Sequence, residues 1–159
     1  MMPLIEQIYR IKADIDIVFD LARSIDLHQI STAHTKEKAI AGKTSGLLEL
    51  HEQVTWRAKH FGIYQNLTSE MRELKKPNYF VDEMVAGAFQ SFRHEHWFES
   101  SQGVTVMTDR FDYRAPLGIL GKCADYVFLK KYMETFLNQR NLVVKEFAES
   151  GRWKEVLPY

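Results

Sequence analysis

Residues 92–113 read FRHEHWFESSQGVTVMTDRFDY, and the fold prediction starts from this segment. On either side of residues 100–103, which include Gly103, apolar and polar side chains alternate along the chain. Alternation with period two around a glycine-containing turn predicts a β-hairpin. One face of this hairpin carries His94, His96 and Asp109 among aromatic residues. A face that only packs against a core needs none of these three groups, so we expect the hairpin to face a site.

Composition excludes several classes of protein. The chain has 159 residues, 45% of them apolar and 26% charged, which predicts one globular domain over residues 1–159. Lys plus Arg and Asp plus Glu both number 21, so no net charge attracts nucleic acid. The single cysteine, Cys123, excludes an intrachain disulfide and a multi-cysteine metal cluster. No signal-like start and no uncharged apolar run of roughly 18 residues is visible, so we expect a cytoplasmic protein without a membrane span.

The remaining segments alternate between strand and helix patterns. A strand is predicted at 5–12, a helix capped by Asp14 or Asp16 follows it, and a second short helix is predicted at 27–33. Strand patterns then occur at 38–43, 46–50, 53–61, 63–74 and 79–89, the first two being the weakest, before the two strands of the hairpin. A bulge is expected at Gly87, and Gly151 is expected to end a long helix over 121–150. Counting one strand for the two weakest patterns, the predicted order is one strand, two short helices, six strands and one long helix.

This order predicts how the elements pack. Strands joined by short turns form an antiparallel sheet, because parallel pairing needs long crossover connections. The last helix presents one apolar stripe, formed by Leu129, Met133, Phe136, Leu137, Val144 and Phe147. We therefore predict an α+β fold in which a curved antiparallel sheet of six to seven strands wraps around the long C-terminal helix. A curved sheet that holds a helix leaves a space between them where the inward side chains do not fill it.

The chain resembles the START-like or Bet v 1-like superfamily, also called SRPBCC or polyketide cyclase/dehydrase proteins. The resemblance is carried by residues 54–62 (VTWRAKHFG), 87–89 (GAF), 92–98 (FRHEHWF) and 105–118. It implies a helix-grip fold that encloses a pocket for a hydrophobic or amphipathic small molecule. Within the superfamily these residues are most similar to a small bacterial ligand-binding branch, whose members also occur beside sugar-nucleotide-epimerase-like domains. The resemblance implies no single reaction, since the superfamily contains carriers, cyclases, hydrolases and oxygenases.

The candidate ligand-binding residues combine aromatic and polar side chains of the inward face. They are Trp56, His60, Phe80, Asp82, Met84, Phe92, His94, His96, Phe98, Met107, Asp109, Phe111 and Arg140. We expect Arg140 to lay its stem on apolar surface with its head in water, and pairing with a ligand carboxylate is the alternative. Cys123 is expected to be a small buried apolar residue.

Three interpretations of His94, His96 and Asp109 compete. They form a buried hydrogen-bond network, the polar end of a ligand pocket, or a metal site, because two histidines and a carboxylate match zinc or non-haem iron donor sets. Short His-x-His pairs arise easily by chance, which disfavours the metal interpretation. We therefore expect no metal and no cofactor.

Two functions follow from these residues, and binding is favoured over catalysis. The favoured function is binding of a hydrophobic or amphipathic molecule of aromatic, lipid or polyketide-like character. The alternative is a cyclase or dehydratase type of enzyme with His94, His96 and Asp109 as catalytic candidates, because a carboxylate beside a histidine fixes its tautomer and raises its pKa. A third class is an interaction module for a partner enzyme, and a homodimer or an epimerase-like partner domain is left open.

Overall fold

A computed structural model describes residues 4–115 and 122–159, with the side chains of residues 122–126 outside the description. The strands are β1 (Leu4–Ile11), β2 (Lys38–Gly42), β3 (Gln53–His60), β4 (Ile63–Lys75), β5 (Tyr79–Gly87), β6 (Ser91–Ser101) and β7 (Val104–Arg114). The helices are α1 (Ile15–Ala22), α2 (Ile25–Ser31) and α3 (Lys122–Ser150), with short 3-10 turns at Ala33–Thr35 and Arg152–Glu155. The prediction for Cys123 and residues 116–118 of the family resemblance lie outside the described side chains and residues.

The strands form one seven-stranded antiparallel sheet in the order β1-β7-β6-β5-β4-β3-β2. The sheet curves around α3, which confirms the predicted α+β helix-grip arrangement. The hairpin of β6 and β7 has the predicted phase, since His96 lies opposite Asp109. On the other side of β6, Asp82 of β5 lies opposite His94. Three adjacent strands therefore bring these four polar side chains together on one face.

Local sequence signals place the helix ends. Asp14 caps α1 by accepting a hydrogen bond from the backbone N–H of Asp16. Ser24 caps α2 by accepting from the N–H of Leu27, so this helix begins at Ile25, two residues before the predicted start. Gly151 follows α3 with a φ of 80°, a conformation that glycine adopts at no steric cost.

The expected strand at 46–50 is wrong. This segment forms one isolated bridge, between Leu47 and Ser24, and no strand. Its backbone is instead hydrogen-bonded to the junction between α1 and α2. Leu48 N–H donates to the Arg23 carbonyl, and Ile25 N–H donates to the Gly46 carbonyl. Because these groups are already satisfied there, the segment has no reason to join the sheet.

The predicted irregularity near Gly87 is a change of register one residue pair away. Thr68 lies opposite Ala86, whereas Ser69 lies opposite Met84, so one residue of β5 is left over. Gly87 itself has a φ of 142°, and a Cβ added there would lie 2.7 Å from the carbonyl oxygen of Asn66. Glycine at this position therefore permits the close approach of β4 and β5.

The interior divides into two apolar clusters. One lies under α1 and α2 and includes Phe19, Phe98 and Phe147. The other joins β6 and β7 to α3 and includes Phe111 and Leu137. No helix of the described residues is long and apolar enough to cross a membrane.

Candidate functional site

A cavity of about 380 Å³ lies between the sheet and α3. Its lining is mainly apolar, with polar groups at separate places. The lining residues are His28, Glu37, Trp56, Ala58, His60, Phe61, Gln65, Leu67, Ser69, Asp82, Ala88, Phe89, Phe92, His94, Phe111, Leu129, Tyr132, Met133, Phe136 and Leu137. They come from α2, from the segment before β2, from strands β3 to β7 and their connections, and from α3.

The structure divides the predicted site residues into three groups. Those that line the cavity are Trp56, His60, Asp82, Phe92, His94 and Phe111. Those that pack in the apolar clusters, away from the cavity lining, are Phe80, Met84, Phe98 and Met107. The remaining three, His96, Asp109 and Arg140, are buried next to His94.

The buried groups around Asp109 form an inner polar cluster, which consists of Asp82, His94, His96, Asp109, Arg140 and Asn141. Asp109 is its centre and is 2% exposed. The carboxylate accepts from His96 Nδ1 at 3.0 Å, His94 Nε2 at 3.2 Å, Asn141 Nδ2 at 2.9 Å and Arg140 Nη1 at 3.3 Å. A buried carboxylate with four donors is fully satisfied, so its position is fixed.

His96 lies between two carboxylates. Its Nδ1 faces Asp109 Oδ1, and its Nε2 lies 3.3 Å from Asp82 Oδ2. The ring stacks on Phe80 with 4.1 Å between centroids and is fully buried. Burial alone would lower the pKa of His96, but the charges of Asp109 and Asp82 and the hydrogen bonds to them outweigh burial and raise it. The charged imidazolium is therefore favoured at this position.

His94 is neutral, unlike His96, although the two histidines are only two residues apart. Burial lowers the pKa of His94 to about 4, and the nearby His96 charge acts in the same direction. The raised pKa expected for a histidine beside Asp109 is therefore found for His96 and is wrong for His94. An ionised Asp109 can only accept, so the neutral ring carries its proton on Nε2. Nδ1 is then a lone-pair acceptor, and it has no hydrogen-bond partner within the described residues. The ring that carries it lines the cavity.

Both carboxylates of the inner polar cluster are held in the charged form. Burial would raise the pKa of Asp109, but the His96 charge and the hydrogen bonds from both histidines keep it well below its usual value. For Asp82, burial likewise raises the pKa, and the hydrogen bond from His96 and its charge lower it further than burial raises it. Two carboxylates therefore face one guanidinium and one imidazolium, which balances the charge.

Arg140 differs from its sequence-based expectation. Its guanidinium is buried rather than in water, with 6% of the residue exposed. Nη1 donates to Asp109 Oδ2 and to Asn141 Oδ1, and Nη2 donates to the carbonyl of Ala22 at 2.6 Å. The side chain thus joins α3 to β7 and to the last residue of α1.

Two further polar contacts line the cavity away from Asp109, and we call them the outer polar pairs. His28 Nε2 lies 2.8 Å from Glu37 Oε1, and His60 Nδ1 is hydrogen-bonded to the hydroxyl of Tyr132. Burial lowers the pKa of His60 and raises that of Tyr132. Three of these residues, His28, Glu37 and Tyr132, were not predicted as site residues.

The sequence held a partial signal for one of the missed residues. Tyr132 lies beside Met133 and one turn before Phe136, so it widens the apolar arc of α3 toward the sheet. His28 and Glu37 had no such signal, because one is in a two-turn helix and the other follows a 3-10 turn with no periodicity.

No protein-family model and no curated protein matches the chain. Solved structures do resemble it. The Zhui aromatase/cyclase from Streptomyces sp. R1128 has a TM-score of 0.77 at 13% identity, covering 94% of each chain. A START superfamily protein from Mycobacterium smegmatis has a TM-score of 0.69 at 10% identity, covering 92% of this chain and 97% of that chain.

A plant protein shares the same fold. The ginseng major latex-like protein 151 from Panax ginseng has a TM-score of 0.64 at 14% identity, covering 93% of this chain and 98% of that chain. At these identities the likeness concerns the fold, and it confirms that the chain shares the helix-grip architecture expected from its sequence.

Proposed function

We propose that this protein binds a hydrophobic or amphipathic small molecule with aromatic character in the cavity between the sheet and α3. One observation carries the proposal: a cavity of about 380 Å³ is lined by aromatic side chains and by a few polar groups. This volume and this mixture are typical of small-molecule sites. That a START superfamily protein and a major latex-like protein share the fold supports the proposal without naming a ligand.

The polar groups indicate what the ligand carries. The inner end offers His94 Nδ1 and the carboxylate of Asp82, which both accept hydrogen bonds. Asp82 already accepts from His96, so a ligand hydroxyl placed there would donate to His94 Nδ1 and satisfy it. The rings of Trp56, Phe92 and Phe111 would surround the apolar part. A phenol or another flat hydroxylated ring system fits this arrangement better than a fully saturated chain.

A binding measurement with a cavity-blocking variant tests this function. Ala58 lines the cavity and is buried, so Ala58→Phe fills space from the β3 side. We expect 1-anilinonaphthalene-8-sulfonate to bind the native protein with enhanced fluorescence, and this signal to fall at least about tenfold in the variant. Native mass spectrometry before and after organic extraction reports a co-purified ligand in the same preparation.

Ala41→Phe is the matched control, because Ala41 is exposed on β2 and outside the cavity. It should bind the probe as the native protein does. Equal probe binding by the Ala58 and Ala41 variants, with both folded, would contradict a ligand site in this cavity.

Proton transfer to or from a bound ligand is the second candidate function, as in a cyclase or dehydratase. It is favoured by one contact: Asp109 holds Nε2–H of His94, which leaves Nδ1 as a neutral acceptor beside the cavity. A substrate-independent test is the exchange of the α-protons of 2-acetylnaphthalene in D₂O, followed by NMR. Catalysed exchange should be lost in His94→Gln and kept in His28→Gln. Exchange that is the same in His94→Gln and the native protein would eliminate this role.

Three predictions made from the sequence stay predictions. They are a cytoplasmic location, a homodimer and an epimerase-like partner domain. Size measured by light scattering at two protein concentrations would test the second.

A further inference from the structure

Three metal-binding side chains converge at the inner end of the cavity. One donor atom each from Asp82, His94 and His96 can be chosen so that all three lie within 4.8 Å of one another. Asp82 is on β5 and the histidines are on β6, so adjacent strands of the sheet supply all the donors. In the part of the chain described by the structure, no other group of three such residues meets this condition.

Asp109 holds one nitrogen of each imidazole ring. It binds Nδ1 of His96 and Nε2 of His94, so the ring nitrogens that do not contact Asp109 are Nε2 of His96 and Nδ1 of His94. Nε2 of His96 already lies 3.3 Å from Asp82 Oδ2, a contact that a shared cation would replace. A carboxylate behind each metal-binding histidine is the usual arrangement in metalloproteins, because it fixes the ring and increases its basicity.

The orienting carboxylate is itself held in place. Arg140 and Asn141, both on α3, donate to Asp109 Oδ2 at 3.3 and 2.9 Å. The supporting groups therefore come from β7 and α3, while the donors come from β5 and β6. A His-x-His pair alone is weak evidence, but a His-x-His pair with a third donor and a fixed orienting carboxylate is a built site.

We propose that Asp82, His94 and His96 bind one divalent first-row transition metal ion, with Asp109 as the positioning residue. Two imidazole nitrogens and one carboxylate form the donor set of catalytic zinc and non-haem iron(II) sites, whereas calcium and magnesium prefer oxygen donors. Asp82 and His94 also line the cavity, so the remaining coordination positions face the space where a small molecule would lie. The proposal does not depend on binding of an organic ligand.

The outer polar pairs show why the site is at the inner end. His28 and His60 are each bonded to one oxygen partner, Glu37 and the Tyr132 hydroxyl respectively. Neither pair has a second histidine turned toward it by a shared carboxylate among the described residues. These two histidines therefore serve as matched controls within the same cavity.

Calorimetric titration with Zn²⁺ tests the proposal on tag-free protein stripped with EDTA. We expect one equivalent of Zn²⁺ per chain, and no stoichiometric binding in Asp82→Asn or His94→Gln. Asp82 is the principal position because its side chain is 22% exposed, so its variant should keep the fold. Asp109→Asn should weaken binding about 10- to 100-fold without changing the stoichiometry, as expected for a residue that only orients a ligand.

Binding of Co²⁺ in place of Zn²⁺ gives a visible spectrum that reports on metal coordination and not on protein stability. The native protein should show visible absorption bands of cobalt in a low-symmetry nitrogen and oxygen site, and these bands should be lost in Asp82→Asn. His28→Gln and His60→Gln should retain both the bands and the Zn²⁺ stoichiometry. The proposal is overturned if the native protein binds no stoichiometric Zn²⁺, or if Asp82→Asn binds it as tightly as the native protein.

Discussion

The two polar regions of the cavity are built differently although they line the same space. In the inner polar cluster one carboxylate receives four hydrogen bonds, and its partners come from β6 and α3. The outer polar pairs are two separate contacts, His28 with Glu37 and His60 with Tyr132. In the inner polar cluster Asp109 is hydrogen-bonded to several partners. In the outer polar pairs each histidine is hydrogen-bonded to one partner.

This difference predicts which region is rigid. Removing one member of the inner polar cluster leaves buried charges without partners, a change that costs several kcal/mol. Removing one member of an outer pair leaves only one polar group without its partner, and no buried network is broken. The inner region is therefore suited to hold a fixed geometry, and the outer region is suited to adjust to what enters the cavity.

The largest expected effect is that of Asp109→Ala. It leaves Arg140 and His96 buried without their shared acceptor, so we expect the free energy of unfolding to fall by about 3–5 kcal/mol. Urea denaturation followed by circular dichroism measures this change. A loss below about 1 kcal/mol would show that the inner polar cluster is no more coupled than an exposed ion pair.

The pH dependence of stability distinguishes His94 from His96 in metal-free protein. The pKa of His94 falls from 6.5 in the unfolded chain to about 4 in the fold, so below 6.5 the unfolded chain binds a proton that the folded one does not. The stability that His94 contributes is complete above pH 6.5 and is lost as the pH falls toward 4, by about 3 kcal/mol in total. Denaturation of His94→Gln between these pH values should show a flatter profile.

His96 contributes with the opposite sign. Because the fold raises the pKa of His96, the stability that His96 contributes is complete below pH 6.5. That stability is lost as the pH rises through the pKa of His96 in the folded protein. A profile for His94→Gln as steep as that of the native protein would contradict the assignment of a neutral His94.

Glu37→Gln is expected to have an intermediate effect. The amide keeps a hydrogen bond to His28 Nε2 but loses the charge, so we expect a loss of about 1 kcal/mol in unfolding free energy. Thermal denaturation near neutral pH is sufficient to measure it. A loss equal to that of Asp109→Ala would remove the contrast between the two regions.

Tyr132→Phe should have the smallest effect. It removes one hydrogen bond to His60 while the ring keeps its contact with Phe136, so stability should change by about 0.5 kcal/mol. Probe fluorescence should respond more than stability does, because the hydroxyl faces the cavity region. No change in either measurement would leave this pair without a role in binding.

Alternation in the sequence predicted on which face of the hairpin a residue lies. It did not predict whether that residue lies at the cavity or in an apolar cluster. Period-two alternation correctly placed His94, His96 and Asp109 on one side of the hairpin. Phe98 and Met107 share that side, yet they lie under α1 in the apolar cluster rather than at the cavity. Which part of a face is filled depends on where the helices lie over it, and that is set by contacts distant in sequence.

The same limit applies to the polar residues. The sequence placed Asp82 among the site residues, but its spacing does not show that Asp82 lies opposite His94 across β5 and β6. Because arginine side chains usually reach solvent, the guanidinium of Arg140 was expected in water. It donates instead to the Ala22 carbonyl and to Asp109, which are far from it in the chain. Glu37 reaches its partner His28 only through the packing of α2 against the sheet.

The contacts of Arg140 have a consequence for the two ends of the cavity. Because one guanidinium joins the end of α1, α3 and β7, the side chains at the inner end are held in fixed positions. Phe61, which lines the opposite end, is 54% exposed and contacts Phe128 of α3 through its ring. A molecule that enters between the β3–β4 turn and α3 would therefore reach His94 with its polar group leading and would leave with that group last.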